Sequence, residues 1–399
     1  MRLLISGVGR LFTSGSGGTI DGAAVVVESG RLAWVGAEAD LPDRLRGACE
    51  STVDAEGRLM TAGLIDAHTH PLYAGDRARE VAMRARGASY ADVAAAGGGI
   101  ASTVSATRAA SAATLAELAA DRLRAWPRGG ATTVEAKTGY HLERHGEIEA
   151  VRVLAGLSAS TGLPRLEVTF LGAHAVPVEF AGRRAEYASE VAAWCPDAAA
   201  GGARFCDVFC DQGYFSVDEA REILEAGSRA GLIPRMHADE LARTGGALLA
   251  AELGAASADH LLRIESRDMS ALAAAGVVAT LCPGTALSMG TAPPARGLVE
   301  HGVTLALGTD HNPGTSGLTS MSLVVALAVA VFGLSVEEAL IAATAGGAAS
   351  LRLADRGVIE TGRLADLVLW DAHHEGAFAW GFGLPAHRVW MGGVEVVPA

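Results

Sequence analysis

Short, nearly continuous apolar runs alternate with longer segments of helical spacing through the middle of the chain. Eight apolar runs predict strands: one ends near His70, and the others cover 132–137, 166–171, 206–210, 233–237, 257–260, 277–281 and 304–310. Segments in which apolar residues recur every three or four positions lie between them, such as 114–125, 179–193 and 217–231. Strands that are apolar on both faces are typical of a buried parallel sheet. The pattern therefore predicts an α/β fold, a (β/α)8 TIM-like barrel.

Both ends of the chain are instead rich in short strand-like runs separated by glycines. These runs cover 2–5, 22–28, 31–36, 365–370 and 387–391, with a glycine-rich turn at 14–18. We expect a small β-sandwich domain built from both termini, residues 1–60 and 350–399. The barrel would then occupy 61–349.

Composition narrows the class of protein. The net charge of -13 argues against a nucleic-acid or anionic-membrane partner. No apolar run approaches the ~20 residues of a membrane helix, and the N-terminal run is too short for a signal peptide. The five cysteines form no CxxC motif, so we interpret them as small buried hydrophobes. We expect a soluble cytoplasmic protein, a homodimer, that takes a small-molecule substrate.

One stretch carries the first sign of chemistry. Residues 63–70 read GLIDAHTH, so that His68 and His70 follow an apolar run and are one residue apart. Alternate residues of a strand project from the same face, and Asp66 shares that face. Two imidazoles aimed at one point could supply two ligands to zinc or iron. Alone, the motif fits a pair of surface histidines equally well.

Other polar side chains also stand where predicted strands end. In a barrel of this type the carboxyl ends of all strands meet at one mouth, so that residues far apart in sequence come together there. Several groups of this kind are typical metal ligands, which favours a metal site over isolated rim residues. The strand-end groups are His68, His70, Glu135, Lys137, His174, His237, His260 and Asp310.

Lys137 is the only lysine of the chain. A compact ammonium can have a task that a planar guanidinium cannot perform. The lysine can equally have persisted by chance, and the sequence leaves both explanations open.

The arrangement of HxH on the first strand, histidines on the fifth and sixth and aspartate on the eighth resembles the amidohydrolase superfamily. Within it the chain is similar to the imidazolonepropionase family, which acts in histidine degradation. The matching stretches span nearly the whole chain: 66–70, 75–77, 97–104, 137–140, 169–177, 237–240, 257–261 and 309–314. The chain departs from the family pattern at Ala62, His311 and Thr315, which we expect to affect fine specificity rather than the reaction.

The resemblance implies hydrolysis of the cyclic amide of 4-imidazolone-5-propanoate to N-formimino-L-glutamate. It implies one Zn2+ or Fe3+ ion, without choosing between them, and water completing its shell. No carboxylated lysine is expected, because the bridging lysine of the superfamily lies on the fourth strand and Lys137 on the second. The implied metal ligands are His68, His70, His237 and Asp310. The implied substrate contacts are Arg77, Tyr140, His174, Asn312, Gly314 and Thr315.

Chemical reasoning assigns roles to some of these residues. A metal makes hydroxide available near neutral pH, and Asp310 or His260 can take the proton of that water. Glu240, three residues after His237, can contact the substrate and carry a proton to the leaving ring nitrogen. Alternatively, the carboxylate of Glu240 lies at a helix N-terminus and interacts with the helix dipole. Arg77 is suited to a propionate carboxylate, unless it is a solvated surface arginine.

Two other functions use similar residues. A related amidohydrolase that deaminates a cytosine- or guanine-like base would share the HxH, HxxE and sixth-strand histidine. A non-catalytic barrel would act as a binding scaffold. A neutral base has no need of Arg77 or Tyr140, which argues against the deaminase, and turnover with one bound metal per chain would exclude the scaffold.

Overall fold

The computed structural model describes residues 2–87, 98–158 and 160–397. Met1, Gly97, Pro398 and Ala399, which belong to stretches singled out from the sequence, lie outside the described residues. The N-terminal part forms five strands: β1 (Arg2–Phe12), β2 (Thr19–Glu28), β3 (Arg31–Ala37), β4 (Ser51–Asp54) and β5 (Leu59–Ala62).

The middle of the chain forms the predicted barrel. Its parallel strands are hydrogen-bonded in sequence order: β6 (Leu64–Asp66), β7 (Ala131–Lys137), β8 (Arg165–Ala173), β9 (Phe205–Cys210), β10 (Ile233–Ala238), β11 (Ser257–His260), β12 (Val278–Leu281) and β13 (Leu305–Leu307). The ends of the sheet meet, because Ala67 N donates to Leu307 O at 3.1 Å and Asp310 N donates to His68 O at 2.9 Å. The predicted barrel fold is thereby confirmed.

Three strands complete the second sheet: β14 (Leu367–Trp370), β15 (Ala386–Met391) and β16 (Val394–Val397). They pair in the order β16-β15-β14-β5-β1-β2-β3, and β4 pairs with β1. The β-rich unit from both termini is confirmed, and its strands form one mixed sheet. One face of the sheet buries a cluster that includes Ile5, Val25 and Leu367.

Helices cover the outside of the barrel and connect its strands. The α-helices of the described residues are Asp43–Arg46, Ala78–Ala85, Ile100–Ala109, Ala112–Leu123, Arg144–Leu157, Arg184–Gly201, Val217–Arg229, Gly246–Glu252, Ser266–Ala275, Pro283–Met289, Ala295–Glu300, Met321–Phe332, Val336–Ile341, Gly347–Ser350 and Ala377–Gly381. Short 3-10 turns occupy Glu38–Asp40, Pro127–Gly129 and Val178–Phe180, and a π-helix covers Ala342–Gly346.

The segment expected to be helical over 179–193 begins its helix later, at Arg184. Residues Val178–Phe180 form a 3-10 turn instead. Gly182 then adopts a φ of 77°, which separates the turn from the helix. By contrast, the segment at 217–231 starts where expected, because Ser216 and Glu219 form a capping box.

The helices and the cysteines bear on two expectations from the sequence. In the described part of the chain, every helix is too short or too polar to cross a bilayer. All five cysteines are free, and four of them are buried. Their role as small buried hydrophobes agrees with this environment.

Candidate active site

Four side chains converge at the carboxyl end of the barrel. His70 Nε2 lies 3.2 Å from His68 Nε2 and 3.4 Å from His237 Nε2. Asp310 Oδ1 lies 3.5 Å from His68 Nε2 and 3.4 Å from His70 Nε2. All four residues are buried. The four residues predicted as metal ligands thus cluster around His68 and His70. Ligand atoms of His68, His70 and His237 lie within 4.8 Å of one another, and His68 and Asp310 belong to a second, overlapping group.

The chemistry of this donor set fits a metal cation. A neutral imidazole has one N–H and one lone pair. Nδ1 of His68 lies 2.7 Å from Asp259 Oδ2, and Nδ1 of His237 lies 3.0 Å from Asp207 Oδ2. We infer that the protons are on Nδ1, so that the Nε2 lone pairs face one another, which is unfavourable unless a cation lies between them. Ligands at about 2.0–2.1 Å around a tetrahedral zinc are themselves about 3.3 Å apart.

Burial keeps two of these histidines neutral, as metal ligation requires. It lowers the pKa of His70 to about 4. Burial, with the charge of Lys137, holds the pKa of His68 well below its ordinary value. For His237 burial also lowers the pKa, but the Asp207 carboxylate outweighs it and raises the pKa above the ordinary value. Asp207 therefore attracts the proton of His237 to the Nδ1 side.

Asp207 and Asp259 were not singled out from the sequence. Both are fully buried in barrel strands, where they hold the far nitrogens of His237 and His68. Carboxylates in this position fix the tautomer and orientation of metal-binding histidines. A signal was present, since a charged residue inside an apolar run such as FCDVFC is costly to bury without a partner.

Asp310 is also oriented by Thr285, a residue that no sequence pattern indicated. Thr285 Oγ1 donates a hydrogen bond to Asp310 Oδ2, which leaves Oδ1 toward the histidines. Burial raises the pKa of Asp310, but its contacts with the surrounding imidazoles, His70 first, hold it well below the usual range. Cys282 lies nearby, its Sγ within 4.8 Å of ligand atoms of His68, His260 and Asp310.

The backbone makes this convergence possible. His68 and His70 follow the last residue of β6, and His237 lies on β10, opposite Asp259 of β11. Asp310 has a φ of 48°, an uncommon conformation that turns the chain sharply after β13. Gly308 permits the close approach of β13, because a Cβ atom there would lie 2.7 Å from the Cβ of His68.

Glu240 and His260 face each other beside the candidate ligands. Glu240 Oε2 lies 3.8 Å from His260 Nε2, and both residues are buried. Burial raises the pKa of Glu240 above its ordinary value, although the charge of His260 opposes this. The backbone at Glu240 is fixed by Asp211, whose Oδ2 accepts from Glu240 N at 2.7 Å. A raised pKa makes a buried carboxyl better suited to act as a proton donor than an exposed one.

A cavity of about 740 Å³ opens above this cluster. Its wall includes most of the residues predicted for the site: His70, Arg77, Tyr140, His174, His237, Glu240, His260, Asp310, Asn312, Gly314 and Thr315. His68, fully buried, is outside this lining. Further wall residues that the sequence did not indicate include Phe209, Tyr214 and Met289.

Arg77 is held in a defined orientation on this wall. Its Nε lies 2.7 Å from Oε2 of Glu80, while Oε1 of Glu80 accepts from Gly99 N at 2.7 Å. The guanidinium also lies against Gly314, where a Cβ atom would approach Nη1 to 2.5 Å. Arg77 is therefore a fixed, largely buried part of the cavity wall, which rules out the alternative of a solvated surface arginine.

Aromatic rings form another side of the cavity. His174 stacks on His70 with ring centroids 5.1 Å apart, and Tyr140 meets His174 edge-on at 5.1 Å. His174 Nδ1 lies 3.0 Å from Gly139 O, and burial holds its pKa well below the ordinary value. The ring is therefore neutral with its proton on Nδ1, so that Nε2 can accept a hydrogen bond.

The loop after Asp310 shapes the remaining wall. Asn312 Oδ1 accepts from the backbone N–H groups of Gly314 and Thr315, at 2.7 and 2.8 Å. Its Nδ2 donates to Asp310 O at 2.6 Å, so that the amide is engaged within the loop. His311 faces away from the cavity: its Nδ1 lies 3.1 Å from Leu318 O, and its ring meets Trp126. We infer that this departure from the family pattern has no direct contact with a ligand.

Comparisons with known proteins agree with this architecture. The model of the amidohydrolase family matches residues 59–396. An imidazolonepropionase from Anaeromyxobacter dehalogenans (strain 2CP-1) is 45% identical over 94% of this chain and 87% of its own length. One from Mycolicibacterium smegmatis is 41% identical, over 99% of this chain and 97% of its own length.

Solved structures share the fold. An adenosine deaminase from Xanthomonas campestris, with bound zinc, superposes with a TM-score of 0.72. The superposition covers 98% of this chain and 92% of the deaminase, at 22% identity. The fold is thus shared with enzymes of different activity, whereas the long sequence matches point to one group. The chain belongs to the amidohydrolase family and, within it, to the imidazolonepropionases.

Proposed function

We propose that this protein opens the ring of 4-imidazolone-5-propanoate by hydrolysing its cyclic amide, which gives N-formimino-L-glutamate. The observation that carries the proposal is the shared cavity, which joins the convergent ligand atoms of His70, His237 and Asp310 to the oriented guanidinium of Arg77. The cluster suits attack on an amide carbonyl, and Arg77 suits a carboxylate on the same small molecule. The full-length similarity to imidazolonepropionases supports the same substrate.

In this proposal His68, His70, His237 and Asp310 hold one divalent ion. An ion bound there would polarise the substrate carbonyl and lower the pKa of a water molecule toward ~7. Zinc suits three imidazoles and one carboxylate, and iron(II) accepts the same ligands. The donor types favour these ions over magnesium or calcium, which prefer oxygen ligands.

The cavity wall would orient the substrate for attack. Arg77 would bind the propionate carboxylate with a charge-assisted hydrogen bond. His174 would accept a hydrogen bond from a ring N–H through Nε2, and Tyr140 would close the side of the ring opposite the loop at Asn312. Holding both ends of the substrate places its carbonyl over the centre formed by the ligand atoms, and such positioning supplies much of the rate enhancement of an enzyme.

Two carboxyl groups would move the protons. The Asp310 carboxylate would accept a proton from the attacking water, whose oxygen forms the new bond to the carbonyl carbon. Glu240, whose pKa burial raises, would in its protonated form donate a proton to the ring nitrogen as the C–N bond breaks. His260, 3.8 Å from Glu240 and within 4.8 Å of a ligand atom of Asp310, would pass the proton taken up by Asp310 back to Glu240 for the next cycle.

Identification of the product tests this proposal. The purified protein, loaded with one equivalent of zinc, is incubated with 4-imidazolone-5-propanoate and the mixture is followed by NMR and mass spectrometry. We expect a product heavier by one water molecule, with the spectrum of N-formimino-L-glutamate and without release of ammonia. Absence of ring opening, together with ammonia release from a cytosine- or guanine-like base, would replace this function with that of a deaminase. Tight metal binding without turnover of either substrate would favour the binding scaffold.

A further inference from the structure

The only lysine of the chain is buried beneath the candidate metal ligands. Lys137 is the last residue of β7, the second strand of the barrel, and its side chain is fully shielded from solvent. It does not line the cavity with the substrate-facing residues. Its place in the fold separates it from the fourth barrel strand, where the superfamily carries its bridging lysine.

The ammonium group of Lys137 contacts carboxylates from three strands. Nζ lies 2.8 Å from Glu135 Oε1, 2.7 Å from Asp207 Oδ2 and 3.6 Å from Asp259 Oδ2. Burial alone would lower the pKa of Lys137, but Asp207, Glu135 and Asp259 raise it above the ordinary value. A tetrahedral ammonium can direct its N–H groups toward acceptors on different sides, whereas a planar guanidinium directs its donors within one plane.

Two of these carboxylates are the ones that hold metal-site histidines. Asp207 Oδ2 contacts both Lys137 Nζ at 2.7 Å and His237 Nδ1 at 3.0 Å. Asp259 Oδ2 lies 2.7 Å from His68 Nδ1 and 3.6 Å from Lys137 Nζ. One ammonium thus links two carboxylates on different strands, and each carboxylate contacts one of the candidate metal ligands.

The buried carboxylates around Lys137 need its positive charge. The three carboxylates near Lys137 are fully buried: Glu135, Asp207 and Asp259. Besides Lys137, the buried cation Arg235 lies near them, with its Nη2 3.4 Å from Asp259 Oδ2. Asp207 has Lys137 as its cationic neighbour at ion-pair distance. Removal of one member of a buried ion pair leaves an uncompensated charge, so that Asp207 must rearrange. Such a rearrangement would release the imidazole of His237 from its present orientation.

We propose that Lys137 is a positioning residue of the metal centre: its ammonium fixes Asp207 and Asp259 and, through them, the imidazoles of His237 and His68. The inference rests on the proposed metal site and goes beyond it, since Lys137 touches neither the ligand centre nor the substrate cavity. It also explains why an arginine-rich chain has a lysine here.

Metal affinity is the direct readout of such a role. The zinc dissociation constant of the full-length protein is measured by competition with a chromophoric chelator, for the parent and for Lys137→Met and Lys137→Arg. Loss of an outer partner of metal ligands usually weakens binding about 10- to 100-fold. We expect both variants to fall in this range, because Lys137→Arg keeps the charge but not the geometry. The visible spectrum of the cobalt(II)-loaded protein should shift in both, since it reports the geometry of the ligands.

A matched control separates positioning from general stability. The buried carboxylate of Glu375 forms an ion pair with the partly exposed Arg10 of β1 in the terminal sheet, at 2.5 Å from Nε. Glu375→Gln should lower the free energy of unfolding yet leave the zinc dissociation constant within about twofold of the parent. If neither Lys137 variant folds, Asp207→Asn, which removes the proposed link to His237, carries the same test.

The outcomes distinguish this inference from the proposed function. A parent protein that does not bind zinc tightly would contradict the metal site itself. A parent that binds zinc, with folded Lys137→Met or Asp207→Asn variants whose dissociation constant and cobalt spectrum match it, would overturn the positioning role alone. Weakened zinc binding and a shifted spectrum in the variants, with Glu375→Gln unaffected, would support it.

Discussion

Gly314 lies so close to Arg77 that any side chain there would displace the guanidinium: a Cβ atom would come within 2.5 Å of Nη1. The backbone of Gly314 has no special conformation to protect, because its φ is not among the positive values. The terminal group of a long side chain can move aside at little cost to stability. A change at Gly314 therefore displaces Arg77 without removing it.

The first prediction follows from this contact. Gly314→Ala should lower kcat/KM about five- to thirtyfold, mainly through KM, since a displaced arginine loses a charge-assisted hydrogen bond worth roughly 1–2 kcal/mol. Steady-state kinetics on 4-imidazolone-5-propanoate check this, together with the metal content, which should stay unchanged. Gly317→Ala is the control, because a Cβ atom on this glycine of the same loop meets nothing within 4 Å. Equal kinetics for both variants and the parent would contradict the role given to Arg77.

The second prediction tests whether Arg77 recognises the propionate carboxylate. Arg77→Met should reduce kcat/KM for the full substrate about tenfold to a hundredfold, the value of a charge-assisted contact of roughly 1.5–3 kcal/mol. The loss should be much smaller for an imidazolone that lacks the carboxylate, because that molecule never uses the arginine. Arg79→Met, an exposed neighbour, should leave both substrates unaffected. Equal losses on both substrates in Arg77→Met would show that it does not recognise the carboxylate.

The third prediction concerns the candidate ligands. His70→Ala and Asp310→Ala should each lose bound metal and activity together, because each removes one of four converging donor atoms. Metal analysis after gel filtration, in parallel with the ring-opening assay, measures both. His145→Ala, at an exposed histidine, should retain the metal content and activity of the parent. An active Asp310→Ala protein with its full metal content would refute the assignment of Asp310.

The fourth prediction concerns Glu240 as the proton donor. Because burial raises its pKa, the protonated form persists to higher pH than an exposed glutamate would allow, and activity should fall as pH rises through this pKa. Glu240→Gln cannot donate, so that kcat should drop about 10²- to 10⁴-fold and this falling limb should vanish. The pH dependence of kcat in the parent and variant, at full metal content, provides the measurement. If Glu240→Gln keeps the falling limb, the limb reports another group and Glu240 is not the proton donor.

The sequence was most informative about the barrel strands and about the residues at their ends. Apolar runs buried on both faces identified the barrel strands, and a histidine or aspartate at a strand end predicted which atoms would meet, because the barrel brings those ends together. His68 and Asp310 come together in this way although 242 positions separate them. Their convergence follows from the fold and from no local pattern.

Interactions that depend on several strands were less visible. Thr285 and Asp259 act through hydrogen bonds to residues on other segments, and a threonine or aspartate has no periodic signal. Lys137 stood out as the only lysine, yet its partners Asp207 and Asp259 could be found only once β7, β9 and β11 were placed side by side. Strand β5 was missed as well, because its short run continues into β6 across Gly63 without a break in polarity.

Metal removal and return test the central claim most directly. The protein is stripped with a chelator, its zinc and iron contents are confirmed to be negligible, and ring opening of 4-imidazolone-5-propanoate is measured as zinc or iron(II) is added back in known amounts. We predict no activity in the stripped protein and a linear rise that ends at one metal ion per chain, as expected for the single centre proposed at His68, His70, His237 and Asp310. Full ring-opening activity in the stripped protein would contradict this account.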